Sequence, residues 1–203
     1  MATLNSQTLG LGTSPALLII DATRGFTEPG SPVGTDGSAA VAQIARILQL
    51  FRQHATCVIY TSNSYANPDE ATVFREKLPA LNELVAGGPW AEIDSRVAPI
   101  YGEMVIRKTV PSAFFDSALR QVLRDRGVDA VVVCGFSTSG CIRATALDAL
   151  QCGLRVTVAA DACGDRDQQA HEYNLRDMQL KTGDVLTTDQ ILAACSVIFC
   201  SSE

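Results

Sequence analysis

With 203 residues, 47% of them hydrophobic and 19% charged, the chain is long enough to bury a sizeable core and lacks the composition of a disordered protein. A formal net charge of -6, with Lys and Arg scattered, excludes a nucleic-acid groove or an anionic membrane surface as steered partners. A single domain acting on a small molecule is expected.

Seven cysteines, Cys57, Cys134, Cys141, Cys152, Cys163, Cys195 and Cys200, form an odd set without CxxC pairs, mostly in apolar contexts. They read as small buried hydrophobes in a reducing compartment, not as a disulfide or zinc framework. Met1 to Ser14 has no basic region followed by an apolar one, and no apolar run approaches membrane length, so a cytoplasmic location is expected.

In chain order, Pro15 leads into Ala16 to Ile20, an apolar run that reads as a strand buried on both faces, and Asp21 follows at once. Ligands of open parallel sheets lie at the carboxyl ends of the strands, which puts Asp21 at the functional edge, although an Asp there can also cap a turn. After a loop rich in Pro and Gly, Ala39 to His54 repeats Val41, Ile44, Ile47, Leu48 and Phe51 at helical spacing. Cys57 to Tyr60 is a short strand ending in polar residues. The stretch from Tyr65 to Pro99 is expected to be irregular and to pack over the site as a cover. Met104 to Ile106 is a strand with Lys108 two residues beyond it, and Ala113 to Gly127 reads as a helix capped near Asp116 or Ser117.

Ala130 to Cys134 is an uninterrupted run of small and β-branched residues that stops at Gly135. Small residues fill Ser137 to Gly140, and Cys141 then opens a helix of Ala144, Ala146, Leu147, Ala149 and Leu150 that closes at Gly153. The unpaired amides and dipole at a helix N-terminus favour negative charge, which biases a thiol toward thiolate and can hold a developing oxyanion. Cys141 is thus a candidate nucleophile, the alternative being an inert buried thiol. Leu154 to Ala159 gives a strand ending at Asp161. His171 to Thr182 is helical, Asp184 to Thr187 and Asp189 to Ala194 offer a last strand and helix, and the tail from Ser196 is unplaced. This alternation predicts an α/β fold, a three-layer α-β-α sandwich around a parallel sheet with helices on both faces.

Three strand ends then converge through Asp21, Lys108 and Cys141. A cation beside the thiol lowers its pKa, and a carboxylate can take the thiol proton and later activate water, which together are the parts of an amidase.

The segments ALLIID, IRKTVPSAFF and VVVCGFSTSGCIRATALDALQCG, with GDRD-x(4)-H-E-x-N-L, resemble the isochorismatase-like cysteine hydrolases, and the N-carbamoylsarcosine amidohydrolase branch in particular. The resemblance covers about 15–194. It implies a six-stranded parallel sheet, homo-oligomers such as dimers or tetramers, and a catalytic triad of Asp21, Lys108 and Cys141. It also implies a cis peptide at Phe136-Ser137 that aims the amides of Ser137 and Cys141 into one oxyanion hole. The expected activity is hydrolysis of a small carboxylate-bearing amide or N-carbamoyl compound with release of ammonia, and a maleamate-type amide is the second reading. Relatives with the isochorismatase reaction itself lack the nucleophilic Cys, and a non-catalytic binding protein is disfavoured because all three triad residues are present.

No cofactor is called for, and no metal: the Asp-x-His motif of the related nicotinamidases is absent, with His54 and His171 the chain's two histidines. By the same resemblance Arg166 of the GDR motif binds the substrate carboxylate, although its spacing equally allows an ion pair with Asp161, Asp165 or Asp167. Thr138 is a further candidate substrate contact, and Arg24 either adds one or lies on the surface. His171 and Asn174 are weighed toward structural hydrogen bonding.

Overall fold

The computed structural model describes residues 4–200. Six strands form one all-parallel sheet: β1 (Pro15–Ile20), β2 (Val58–Asn63), β3 (Met104–Lys108), β4 (Ala130–Phe136), β5 (Arg155–Gly164) and β6 (Asp184–Leu186). Their order is β3-β2-β1-β4-β5-β6. The chain therefore winds outward from β1 to β3, then returns to place β4 against β1 and winds the other way. The crevice between the carboxyl ends of β1 and β4 is the switch point where such sheets bind ligands.

The helices are α1 (Arg24–Thr27), α2 (Ser38–Gln53), α3 (Thr72–Lys77), α4 (Leu119–Asp125), α5 (Arg143–Gln151), α6 (Gln168–Lys181) and α7 (Thr188–Cys200). Strand alternation sorts the core into two halves. Leu17, Ile19, Val132 and Cys134 pack with Ile44, Leu48 and Phe51 of α2 and with Ile191 and Phe199 of α7. Ala16, Leu18, Ile20, Val131 and Val133 pack with Leu119 and Leu123 of α4, Ala146 and Ala149 of α5 and Met178 of α6. At roughly 1.5–3 kcal/mol for each fully buried Val, Leu or Ile, these two layers fix the sheet from both sides.

Several boundaries differ from the sequence expectation. Lys108 is the last residue of β3, paired with Asn63, and not two residues past the strand. Strand β5 runs through Asp161 to Gly164; Asp161 accepts the Thr188 N–H and hydroxyl at 2.7 and 2.8 Å and so anchors the start of α7. Helix α4 begins only at Leu119. Asp116 sits in the left-handed region at φ 47°, and it is Ser117 Oγ that accepts the Leu119 N–H. Helix α6 starts earlier than expected because Asp167 caps it, accepting from the amides of Gln169 and Ala170. The unplaced tail is helical to Cys200, and residues 201–203 lie outside the described residues.

The stretch between β2 and β3 is more regular than its Pro and Gly content suggests, with α3 and three short 3-10 turns. It is pinned to the carboxyl edge of the sheet by backbone bonds. Tyr65 N–H donates to Leu84 O and Ala86 N–H to Tyr65 O, each at 2.8 Å, while Asp94 N–H donates to Ala22 O at 2.9 Å. Ser62 Oγ adds a bond to Ala91 O at 2.8 Å. Leu81 and Leu84 are buried beneath it.

At Gly135, φ is 120° and the register between β4 and β5 shifts. A Cβ there would lie 1.9 Å from Ile20 O, so the glycine is what lets β4 close against the end of β1 beside Asp21. Gly135→Ala should lower the unfolding free energy by roughly 2–3 kcal/mol or more, read as a fall in urea midpoint. Gly30→Ala, into open space, should change it by less than about 0.5 kcal/mol. Equal stability of the two variants would contradict the close approach.

Candidate active site

The first side chain of the site is Asp21, fully buried one residue past β1. Continued extended backbone would send it to the face of Leu17 and Ile19. Its φ of 47° breaks that alternation and turns the carboxylate toward the α4–α5 side, in a conformation that Asp tolerates better than most residues. Thr61 on β2 holds it there: Asp21 N–H donates to Thr61 O at 3.2 Å, and Thr61 Oγ1 donates to Asp21 Oδ1 at 2.7 Å.

Lys108 reaches the same point from the edge strand, across two strand spacings or roughly 10 Å. Its Nζ lies 2.6 Å from Asp21 Oδ2, 3.1 Å from Val110 O and 3.3 Å from Cys141 Sγ. Three donors thus meet three acceptors. Burial alone would lower the Lys108 pKa, but Asp21 and the Cys141 sulfur beside it outweigh that effect and the ammonium is held raised. Among the described residues Asp21 Oδ2 accepts no well-aligned hydrogen bond; its partner is the Lys108 charge.

The Phe136-Ser137 peptide is cis. Beyond it Cys141 lies within a π-type turn, Thr138–Ile142, that leads into α5, so the helical winding starts before the thiol. Gly140 and Ile142 N–H both donate to Ser137 O at 3.1 Å. The Asp165 carboxylate accepts the Ser139 N–H and hydroxyl, each at 2.7 Å, and thereby ties the turn that carries Cys141 to the loop after β5. Ala113 N–H donates to Thr145 Oγ1 at 3.1 Å, which fixes the segment after Lys108 against α5.

One electrostatic expectation changes. The helix N-terminus was expected to favour a Cys141 thiolate, but burial dominates and pushes the thiol up to about 12, with Lys108 pulling against it. The resting side chain is a thiol beside a carboxylate.

The remaining candidates fall around this centre. Thr138 is fully buried, and its Oγ1 donates to Gly164 O at 3.2 Å and meets His171 Nδ1 at 2.8 Å. Asn174 Nδ2 bonds Ala170 O within its own helix. Arg166 is exposed and donates through Nη1 to Val33 O; among the described residues it makes no ion pair with Asp161, Asp165 or Asp167, and Asp165 accepts only its backbone N–H. Arg24 is paired with Glu28 at 2.7 Å and Glu92 at 3.4 Å and lies 5.8 Å from the Trp90 ring, so its charge is already answered within the protein. Among the described residues no group of three or more His, Cys, Asp or Glu gathers as a metal site.

Sequence reasoning missed Thr61 and Asp165. Their partners lie 40 and 26 positions away, and nothing local to either residue announces the contact.

Comparison with known proteins bears on this arrangement. The isochorismatase domain model matches residues 15–190. The chain is 45% identical over 184 residues to a maleamate amidohydrolase of Pseudomonas putida, covering 89% of this chain and 86% of that protein. It is 34% identical over 191 residues to an N-carbamoylsarcosine amidase of Arthrobacter sp, covering 91% and 72%. Among solved structures, a cysteine hydrolase from Pseudomonas syringae pv. phaseolicola superimposes with a TM-score of 0.89 at 22% identity, over 97% of this chain and 99% of that one. An N-carbamoylsarcosine amidase from Thermoplasma acidophilum does so with a TM-score of 0.74 at 26% identity, over 87% and 97%. A family model spanning nearly the whole sheet, with relatives this similar along most of both chains, establishes that the chain belongs to the isochorismatase family of hydrolases.

Proposed function

We propose that the protein is a cysteine amidohydrolase that splits the C–N bond of a small carboxylate-bearing amide through a thioester on Cys141. The observation that carries this reading is the buried contact of Lys108 Nζ with both Asp21 Oδ2, at 2.6 Å, and Cys141 Sγ, at 3.3 Å. A carboxylate, a fixed positive charge and a thiol share one dry volume.

In this mechanism Asp21 takes the Cys141 proton as sulfur attacks the substrate carbonyl, so the C–S bond forms as the S–H bond breaks and the negative charge passes to the carbonyl oxygen. Lys108 offsets the negative charge at each stage, worth more at this depth than in water. The amides of Ser137 and Cys141 stabilise the tetrahedral oxyanion. The C–N bond breaks, ammonia leaves with the proton from Asp21, and water attacks the thioester as Asp21 takes its proton. The C–S bond then breaks, the carboxylic acid departs, and the thiol is restored. Substrate and water become acid and ammonia with no outside reductant or oxidant.

Arg166 takes the substrate carboxylate, since among the described residues its guanidinium has a backbone carbonyl and no carboxylate for a partner. Thr138, bonded to the strand end that leads into Arg166, is the second candidate contact. The sequence reading put an N-carbamoylsarcosine-like substrate first. The 45% identity to a maleamate amidohydrolase, against 34% to an N-carbamoylsarcosine amidase, favours the maleamate type.

Ammonia release from maleamate and from N-carbamoylsarcosine tests the reading. Wild type should turn over at least one, maleamate faster, and Cys141→Ala should lose at least about a thousandfold in kcat. No release from either compound, or full activity in Cys141→Ala, would overturn it.

The thiol's raised pKa gives a second test. A raised acid pKa favours the protonated form, so the thiolate fraction is small at neutral pH and grows as pH climbs toward about 12. Alkylation of Cys141 by iodoacetamide, followed by peptide mass mapping, should therefore be slow at pH 7 and speed up by roughly tenfold per pH unit to pH 10 or beyond. A fast rate that is flat above about pH 6 would mean a resting thiolate.

A further inference from the structure

Among the described residues, two polar side chains at the root of the segment after β2 carry buried oxygens without a well-formed hydrogen bond, and they lie beside one another. Asn63, the last residue of β2, is 1% exposed, and Tyr65, two residues on, is 4% exposed. Among the described residues, Asn63 Oδ1 and Tyr65 Oη make no hydrogen bond. An orphaned buried polar atom costs about 1–3 kcal/mol, so leaving two together in a pinned wall calls for a reason.

Their placement supplies one. Asn63 pairs in parallel register with Lys108 and shares the alternation of Thr61, so it lies on the same face of the sheet as the residues that hold Asp21. Burial raises the Tyr65 phenol, while the Asn63 amide beside it and the Lys108 charge pull it back. The Tyr65 backbone is clamped between Leu84 and Ala86, and Arg75 stacks 4.6 Å from its ring centre. The phenol is held in place and cannot swing away to find another partner.

Both groups are neutral, and that decides what they suit. A substrate carboxylate is poorly served by Asn63 Oδ1, which only accepts hydrogen bonds. A primary carboxamide or carbamoyl NH2 is neutral and presents two N–H donors, matching two orphaned oxygens. We infer that Asn63 Oδ1 and Tyr65 Oη each accept one N–H of the scissile NH2 group, orienting the carbonyl carbon toward Cys141 and selecting amides over esters of the same acid. This rests on the amidohydrolase reading and adds to it a site for the leaving nitrogen. Both residues act as specificity determinants and leave the triad's proton transfers unchanged.

The test compares maleamate with monomethyl maleate, which has the same acid and carboxylate but no N–H at the scissile bond. In Tyr65→Phe and Asn63→Leu, kcat/KM for the amide should fall by about 10–100-fold, while that for the ester changes by less than about threefold. Amide and ester rates falling in parallel would overturn the inference in favour of a structural role. Unchanged rates on both would overturn it in favour of a pair satisfied by water. Should Asn63→Leu not fold, Tyr65→Phe, which loses a single oxygen, decides alone. A wild type active on maleamate separates failure of this inference from failure of the amidohydrolase reading. A wild type inert toward maleamate, its methyl ester and N-carbamoylsarcosine removes that reading and this inference with it.

Discussion

The buried ion pair between Asp21 and Lys108, 2.6 Å apart with both side chains almost wholly out of water, is the constraint on which the site depends. Taking two charges out of water costs several kcal/mol each, and such a pair is retained only with close geometry and every remaining donor satisfied. Those conditions are met from several directions. Thr61 occupies the other carboxylate oxygen, while Val110 and Cys141 occupy the other two ammonium donors. Removing either partner would strand a buried charge, at a cost of about 3–5 kcal/mol.

The fold explains how residues from three strand ends meet. Winding outward from β1 and then back to β4 opens a crevice at the carboxyl edge, and Gly135 lets the two central strands close tightly just below it. The left-handed backbone at Asp21 turns its carboxylate onto the face where Lys108 and Cys141 lie. The pinned segment between β2 and β3 then roofs this edge, with Asn63 and Tyr65 at its root. The thiol, carboxylate and ammonium are thus buried together, away from bulk water.

Much of this could be read from the chain itself. The apolar runs of β1 and β4 are unambiguous because central parallel strands are buried on both faces; Asp21 follows β1 at once, and Cys141 lies in the turn after β4. Helix α2 was equally plain from its spacing. Lys108 was found, but its strand was read too short because β3 is an edge strand whose alternation is exposed at Val105 and Arg107. The caps at Asp161 and Asp167 were missed because a carboxylate after a strand or in a loop looks the same whether it pairs with a cation or caps a helix. Asp165 and Thr61 act through distant partners, and the burial that leaves the oxygens of Asn63 and Tyr65 without a bond comes from distant packing, neither of which local pattern encodes. The thiol's resting protonation was misread for a related reason: a helix N-terminus is visible in sequence, whereas the depth of burial that outweighs it is not.

The central claim is a covalent bond between the substrate's acyl carbon and Cys141 sulfur. The most direct measurement is rapid acid quenching of the enzyme during turnover of maleamate, followed by intact-mass and peptide mass spectrometry. The account predicts an adduct equal to the substrate's acyl group, without its nitrogen, on the peptide carrying Cys141. Turnover at full rate with no adduct at any time point, or an adduct on another residue, would contradict it.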